Sequence, residues 1–169
     1  MDWSLSHRAD PRAAKIADRH YNRQKIGTPQ FVPPGRCMVL LTENADALWI
    51  TSWPFAEYVK HAWPGAWMCS CFRNESSRLS SDLIMQAAAA TRWYTENIWC
   101  LPIPDLGFVT FVDTSKVKSS NPGCCYKKAG WKSVGKTKAG LIALQLLPGE
   151  MPDAAIPAGA TLPLFEGVA

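Results

Sequence analysis

The segment 107–135 constrains the fold more than any other part of the chain. Its first third, 107–113, alternates β-branched and aromatic residues in a short apolar run, which predicts a buried strand that ends on a carboxylate. A loop follows, and Asn121-Pro122-Gly123 precedes a helix of about two turns that ends at the C-cap glycine Gly130. A further strand is predicted from Trp131 onward.

The rest of the chain predicts strands and helices that surround this unit. Apolar runs predict strands at 37–42, 47–53, 66–72 and 140–147, the first two joined by a turn at 43–46. Helical spacing predicts helices at 11–21 and 78–94. We therefore expect an α+β (α/β) fold with a mixed, mostly antiparallel twisted sheet flanked by helices. One catalytic domain is expected over 1–147. The Pro/Ala/Gly-rich tail 148–169 is expected to be irregular and docked at most by Leu162, Leu164 and Phe165.

Composition limits the class of protein. The chain has 169 residues, of which 47% are hydrophobic and 19% charged, as is ordinary for a soluble globular domain. No apolar run approaches the roughly 20 residues needed to span a bilayer, and the N-terminus does not resemble a secretory signal. We expect no membrane partner and a cytoplasmic location, which is the host cytoplasm if a phage encodes the chain.

The six cysteines are expected to be free thiols, because most lie in apolar strand-like runs and no secretory signal is present. Alternation along the strand 66–72 is expected to place Cys69 and Cys71 on one face. No pair has the Cys-x-x-Cys spacing of a zinc site.

Seven lysines are concentrated in the segment 113–138, where Asp113 is the only acid. They are Lys116, Lys118, Lys127, Lys128, Lys132, Lys136 and Lys138. Such a patch attracts a polyanion, either a nucleic acid backbone or a phosphate-bearing cofactor. A merely solvated lysine face is an equally weighted alternative.

Two other segments carry candidate functional side chains. The pair His20-Tyr21 lies at the end of the first predicted helix, where both rings can project into a site; the alternative is that His20 caps the last helical carbonyls. The segment 54–65 contains Phe55, Tyr58 and His61, which suit base stacking or a hydrophobic plug under the sheet.

The segment 107–135 has a strand, a loop, a short helix with Tyr126, and then Ala-Gly-Trp-Lys with a glycine four residues on. This order resembles the last part of the GNAT N-acetyltransferase fold. In that fold a tyrosine on the final short helix points into the cleft. The alternative is that Tyr126 and Trp131 are only core aromatics.

The start of the second predicted helix bears on the cofactor. Its free backbone N–H groups, with Arg78, Ser80 and Ser81, form a candidate anion site. Members of the GNAT fold that use acetyl-CoA have a glycine-bearing loop here, whereas residues 78–83 contain no glycine and include Asp82. Side chains obstruct close backbone approach and a carboxylate repels phosphate, so acetyl-CoA is not the expected cofactor.

Four features are together similar to the phage Mom family. They are the missing glycines, the segment Asn74-Glu-Ser-Ser-Arg78, the triplet Arg19-His20-Tyr21 and the strand ending at Asp113. That family converts adenine in DNA to N6-carbamoylmethyladenine and so protects phage DNA from restriction. The similarity covers about residues 16–147. It implies that His20, Tyr21 and Tyr126 bind iron, that Asp113 is a base or orienting group, and that Arg78, with Ser80 beside it, grips an anionic group. The implied partner is double-stranded DNA with the adenine flipped out, contacted by Lys116, Lys118, Lys127, Lys128 and Lys132.

Two alternatives remain open from the sequence. One is an acyl-CoA-dependent N-acyltransferase in which Tyr126 protonates the leaving thiolate and residues 78–81 hold pyrophosphate. The other is a non-catalytic DNA-binding phage protein that retains only the basic face. A homodimer is compatible with the sequence.

Overall fold

Seven strands of the described chain form one mixed sheet in an α+β fold. The computed structural model describes residues 1–54 and 61–162. The strands are β1 (Trp3–Ser6), β2 (Gly35–Thr42), β3 (Ala47–Pro54), β4 (Trp67–Asn74), β5 (Phe108–Val112), β6 (Lys132–Lys136) and β7 (Ile142–Leu146). The helices are α1 (Pro11–Ala17), α2 (Ser80–Tyr94) and α3 (Cys124–Lys128), with a π-helical turn at Thr95–Trp99 and a 3-10 turn at Pro148–Glu150.

The sheet opens between its two central strands. The strand order is β1-β2-β3-β4-β5-β7-β6, and every neighbouring pair is antiparallel except β4 and β5. The parallel pair is joined only at Trp67↔Phe108 and Met68↔Val109, near the start of both strands. The two strands therefore diverge towards their carboxyl ends, the edge at which open sheets with parallel strands commonly bind ligands.

A β-bulge in β4 changes which side chains face the opening. Ile50 pairs with Cys71 and Thr51 pairs with Cys69, so Ser70 is an extra residue without a partner in β3. The bulge breaks the simple alternation of side chains, and Cys69 packs in the core beneath α2 and α3 while Cys71 packs in the core beneath α1. The expectation that Cys69 and Cys71 share one face was therefore wrong.

Helices cover both faces of the sheet. The helical positions Leu83, Ile84, Ala87 and Ala88 of α2 are fully buried, and each large apolar side chain buried in this way contributes about 1.5–3 kcal/mol. On the other face, α1 begins at the N-cap Asp10, whose Oδ1 accepts a hydrogen bond from the backbone N–H of Arg12 at 2.9 Å. Such a cap is worth about 1 kcal/mol.

The predicted hairpin at 37–42 and 47–53 is confirmed as β2 and β3, and the strands at 66–72, 107–113 and 140–147 are confirmed with ends shifted by up to two residues. The short edge strand β1 was not predicted, because its four residues carry too brief a pattern. Its Trp3 is buried and donates its indole N–H to the carbonyl of Leu83 at 2.8 Å.

The tail is docked by backbone hydrogen bonds and by Met151, which is buried in the core, and Leu162 does not take part. The N–H of Ala158 bonds the carbonyl of Trp3 at 2.8 Å, and that of Ala155 bonds Ala89 at 3.1 Å. Leu162 is 57% exposed. Residues Leu164 and Phe165 of the tail, and Phe55 and Tyr58 of the aromatic segment, lie outside the described residues.

All six cysteines are free thiols, as predicted. Within residues 1–54 and 61–162, none of the helices combines the length and the apolar character that crossing a membrane requires.

Candidate functional site

A cavity of about 220 Å³ lies where β4 and β5 diverge. Its walls come from the segment after α1, the bulged half of β4, the start of α2, the end of β5, the loop that follows β5 and the helix α3. The lining residues include His20, Tyr21, Asn22, Cys69, Ser70, Phe72, Ser80, Thr110, Phe111, Val117, Cys125 and Tyr126. Two strands that separate thus create the space, and the flanking segments supply its polar and aromatic groups.

Helix α3 positions Tyr126 in the cavity wall. The helix begins at Gly123, whose φ of 77° is left-handed and whose added Cβ would lie 2.7 Å from Leu144 Cδ1, so the turn requires glycine. The Tyr126 ring packs edge-on against Phe72 and Trp131, with centroid distances of 6.1 and 5.2 Å. The expected helix and its tyrosine are therefore confirmed in position.

The Tyr126 hydroxyl has a thiol as its neighbour. It lies 3.5 Å from Cys69 Sγ. Burial raises the pKa of Tyr126 well above its ordinary value, and burial likewise raises the pKa of Cys69. Both groups are neutral near pH 7, so the phenol is a hydrogen-bond donor in this state.

His20 and Tyr21 lie directly after α1 and both line the cavity. The backbone N–H of His20 bonds the Ala17 carbonyl at 3.0 Å, so the main chain caps the helix while the imidazole remains available to the cavity. The two rings are stacked with centroids 4.5 Å apart. Burial lowers the pKa of His20 and raises the pKa of Tyr21, which keeps both side chains uncharged near pH 7.

Glu75 fastens the His20 segment to the end of β4. Its carboxylate accepts from Arg19 Nε at 2.7 Å and Nη2 at 2.6 Å, and from Arg73 Nε at 2.5 Å. Arg73 also donates to the Arg19 carbonyl at 2.6 Å. The hydrogen bonds from Arg19, with those from Arg73, lower the pKa of Glu75 to about 2. No role of its own was expected for Glu75 from the sequence.

Asp113 lies beside the cavity and is not among the described residues that line it. Its carboxylate accepts from the Ser115 backbone N–H at 3.0 Å and hydroxyl at 2.6 Å, and pairs with Lys116 at 3.8 Å. The Ser115 hydroxyl contributes most to lowering the pKa of Asp113, so this group is ionised. The backbone of Asp113 lies near the Tyr21 hydroxyl and opposes part of the rise in its pKa.

The start of α2 contributes Ser80 to the cavity, whereas Arg78 and Ser81 are not among the described lining residues. Ser80 Oγ accepts from Asn74 Nδ2 at 3.0 Å. The Arg78 guanidinium pairs instead with Asp2 at 3.1 Å and Asp46 at 3.2 Å. Two carboxylates therefore compensate the Arg78 charge.

The predicted DNA-binding lysines are exposed and most of them flank the cavity. Lys116 and Lys118 are the neighbours of the lining residue Val117, and Lys127 and Lys128 follow Tyr126 on α3. Lys132 lies on the edge strand β6 and forms an ion pair with Glu150.

The donor types in the cavity fit ferric iron. The residues His20, Tyr21 and Tyr126 line one cavity, and an imidazole with two phenols is a ligand set that suits ferric iron. Among the residues that the structure describes, no cluster of three or more His, Cys, Asp and Glu side chains is suited to a metal ion. The candidate metal site therefore depends on its tyrosines.

Comparison with protein families, with curated proteins and with solved structures gives no match for this chain.

Proposed function

We propose that this chain is a DNA-modifying transferase that acts on the exocyclic amine of a flipped-out adenine and adds a carbamoylmethyl group. The observation that carries the proposal is the convergence of His20, Tyr21 and Tyr126 on one cavity, although the first two are separated from the third by most of the chain. An imidazole and two phenols in one cavity wall supply the few convergent polar groups that ligand sites require.

A GNAT-like fold is part of this proposal. It is supported by the mostly antiparallel mixed sheet, by the parallel pair β4 and β5 that opens into a cleft, and by a tyrosine on the short helix before β6 that lines the cleft. These features match the resemblance carried by residues 107–135.

The shape of the cavity supports a single base as its occupant. Its volume of about 220 Å³ is below the range of about 300–1,000 Å³ that is typical for drug-sized ligands. Phe111 lines it and lies against His61 and Trp63, with centroid distances of 5.1 and 5.8 Å, so an aromatic wall is present. A base extruded from the duplex requires such a stacking surface.

The chain's own groups have distinct roles in this proposal. His20, Tyr21 and Tyr126 would hold iron, and a bound ferric ion would supply Lewis acidity in the cavity. Asp113 is ionised and lies beside the cavity, so it would orient the amine, and Ser80 would contribute a hydroxyl to substrate binding. Arg78 is engaged by Asp2 and Asp46, so we assign it to anchoring the start of α2.

An acyl-CoA-dependent N-acyltransferase is the second candidate. One observation favours it: the buried neutral phenol of Tyr126 is a suitable acid for a departing thiolate. The first turn of α2 disfavours the acyltransferase function. Leu79, Ser80 and Asp82 occupy positions at which the backbone could approach a pyrophosphate closely only if the residues were glycine. Iron retained through purification supports the DNA-modifying function, and tight CoA binding supports the acyltransferase.

The deciding experiment is mass spectrometry of nucleosides from plasmid DNA isolated from cells that express the wild-type chain or a variant. We expect a deoxyadenosine adduct heavier by a carbamoylmethyl group with wild type and its loss with Tyr126→Phe. Tyr94→Phe is the control, because Tyr94 lies at the end of α2 and does not line this cavity. Unmodified DNA from folded, iron-loaded protein would reject the proposal. If such protein still binds DNA tightly, the non-catalytic DNA-binding protein becomes the favoured function.

A further inference from the structure

Asn74 lies at the end of β4 and uses the full hydrogen-bonding capacity of its side chain within the protein. Its Oδ1 accepts from the backbone N–H of Ser76 at 2.9 Å and from the Ser76 hydroxyl at 2.7 Å. Its Nδ2 donates to the Arg78 carbonyl at 2.8 Å and to Ser80 Oγ at 3.0 Å. A side-chain amide has two acceptor sites and two donor hydrogens, so Asn74 lines the cavity without a hydrogen bond left for a ligand.

The orientation of the Asn74 amide follows from its two backbone partners. The Ser76 N–H can only donate, so the amide oxygen must face it. The Arg78 carbonyl can only accept, so the NH₂ group must face that side. An inverted amide would place two donors together at Ser76 and two acceptors together at Arg78. The hydrogen bond between Asn74 and Ser80 therefore runs from Nδ2 to Oγ.

This direction determines what the Ser80 hydroxyl offers to the cavity. Ser80 Oγ accepts from the Asn74 NH₂ group, which cannot accept in return, so the hydroxyl hydrogen is left over. Within the part of the chain that the structure describes, this hydrogen has no acceptor, and Ser80 does not cap α2. The Thr110 hydroxyl, which also lines the cavity, is by contrast donated to the Cys69 carbonyl at 3.1 Å. Ser80 therefore presents a hydrogen-bond donor to the occupant of the cavity.

We propose that Ser80 donates a hydrogen bond to a ring nitrogen of the bound adenine, and that Asn74 is the positioning residue that keeps the Ser80 hydroxyl in this orientation. The identity of the ligand rests on the proposed function, whereas the direction of the hydrogen bond does not. The ring nitrogens of adenine accept hydrogen bonds, while its exocyclic amine donates them. Ser80 therefore contacts the ring and leaves the amine free for the reaction.

Binding of deoxyadenosine is compared with binding of the three analogues in which one acceptor nitrogen of the ring is replaced by C–H. Calorimetric titration gives the Kd of each nucleoside. We expect wild type to bind one analogue about 2–10-fold more weakly than deoxyadenosine, and Ser80→Ala to abolish this difference. The matched control is Ser81→Ala at the next position of α2, which should retain the difference because Ser81 is not among the described lining residues.

Asn74→Asp tests the positioning role. The introduced carboxylate only accepts hydrogen bonds, so the Ser80 hydroxyl should turn its hydrogen towards it and away from the ligand. This variant should therefore lose the same discrimination as Ser80→Ala, whereas the loss of a merely structural residue would weaken all four nucleosides alike. Thermal unfolding reports whether the variant is folded, because the carboxylate also faces the Arg78 carbonyl. Wild-type discrimination in folded Asn74→Asp would reject the role of Asn74.

The wild-type protein and Ser80→Ala decide the inference even if Asn74→Asp misfolds. Wild type that binds all four nucleosides equally, or none of them, would overturn it, and so would a difference that persists in Ser80→Ala. The expected pattern without any adenine adduct in cellular DNA would support the roles of Ser80 and Asn74 and reject the proposed function. An adduct without the discrimination would do the reverse.

Discussion

Glu75 is the carboxylate whose ionisation couples most directly to the geometry of the site. Its pKa is lowered from 4.5 to about 2 by hydrogen bonds from Arg19, with a further contribution from Arg73. A carboxyl group whose pKa is lower in the folded state stabilises that state above its unfolded pKa, and the stabilisation disappears as the pH falls through the folded value. The Glu75 contribution is therefore complete above about pH 4.5 and is lost between pH 4.5 and pH 2.

We predict that Glu75→Gln reduces the free energy of unfolding at pH 7 and makes it less dependent on pH below 4.5. Urea unfolding at pH 7 and at pH 3 measures both effects. Glu43→Gln in the exposed turn between β2 and β3 is the control, and it should leave the pH dependence as in wild type. Equal losses of stability in wild type and Glu75→Gln between the two pH values would contradict this account.

The hydroxyl and the ring of Tyr126 have separable functions. The ring packs against Phe72 and Trp131, whereas the hydroxyl lies 3.5 Å from the Cys69 thiol. Tyr126→Phe should therefore lower the free energy of unfolding by no more than about 1.5 kcal/mol. Tyr126→Ala removes the ring and should lower it by about 3–5 kcal/mol. Chemical denaturation measures both changes, and a loss above about 3 kcal/mol in Tyr126→Phe would show that the hydroxyl is structural.

At the scale of residues, the sequence singled out His20, Tyr21 and Tyr126 as candidate ligands but not the residues that support them. The three candidate ligands were expected in one site, and all three line the same cavity. Asn22 and Glu75 received no role because their partners are 48 and 56 residues away along the chain. Local periodicity contains no information about such pairs.

At the scale of elements, strands with a clear apolar run were predicted and the irregularities that shape the cavity were not. The hairpin β2–β3 and the buried strand β5 follow from alternation and β-branched content. The bulge at Ser70 depends on how β3 and β4 align, and the divergence of β4 from β5 depends on which residues pair across the sheet. Both are properties of strand pairs, so neither has a signature in a single strand.

Substitution of Gly107 shows whether the Leu146 backbone fixes strand β5 at the point where β4 and β5 begin to diverge. The φ of Gly107 is 61°, and an added Cβ would lie 2.2 Å from the backbone carbonyl oxygen of Leu146. Gly140 has a similar left-handed φ of 83° with no atom within 4 Å of the added Cβ. Both Gly→Ala variants incur the cost of an alanine in the left-handed region, about 1 kcal/mol.

We therefore expect Gly107→Ala to lower the free energy of unfolding by at least about 1–3 kcal/mol more than Gly140→Ala, because only Gly107→Ala also displaces strand β7. Thermal and urea unfolding of the two variants give this difference. Since the left-handed strain is common to both, equal destabilisation would mean that the Leu146 backbone yields and that β5 is not fixed at this point.

The whole molecule presents its charge unevenly, with a net charge of +4 and lysines on the elements that line the cavity. Lys127 and Lys128 on α3 are exposed next to Tyr126, so a duplex that delivers a base to the cavity passes close to them. Each lysine–phosphate contact in B-DNA adds about 0.9 to the slope of log affinity against log salt concentration. Lys127→Glu with Lys128→Glu should thus weaken DNA binding and reduce the magnitude of that slope by about 2.

The matched control reverses two positive charges elsewhere, in Lys15→Glu with Arg36→Glu, on α1 and β2, which contribute no described residue to the cavity. The two double variants have the same net charge, so a general electrostatic attraction would affect both equally. A local contact would change the slope only in the α3 variant. Fluorescence anisotropy with a short duplex at several salt concentrations separates these outcomes. Equal slopes in the two variants would place the DNA away from α3 and would remove the basic surface from the support for a DNA-directed function.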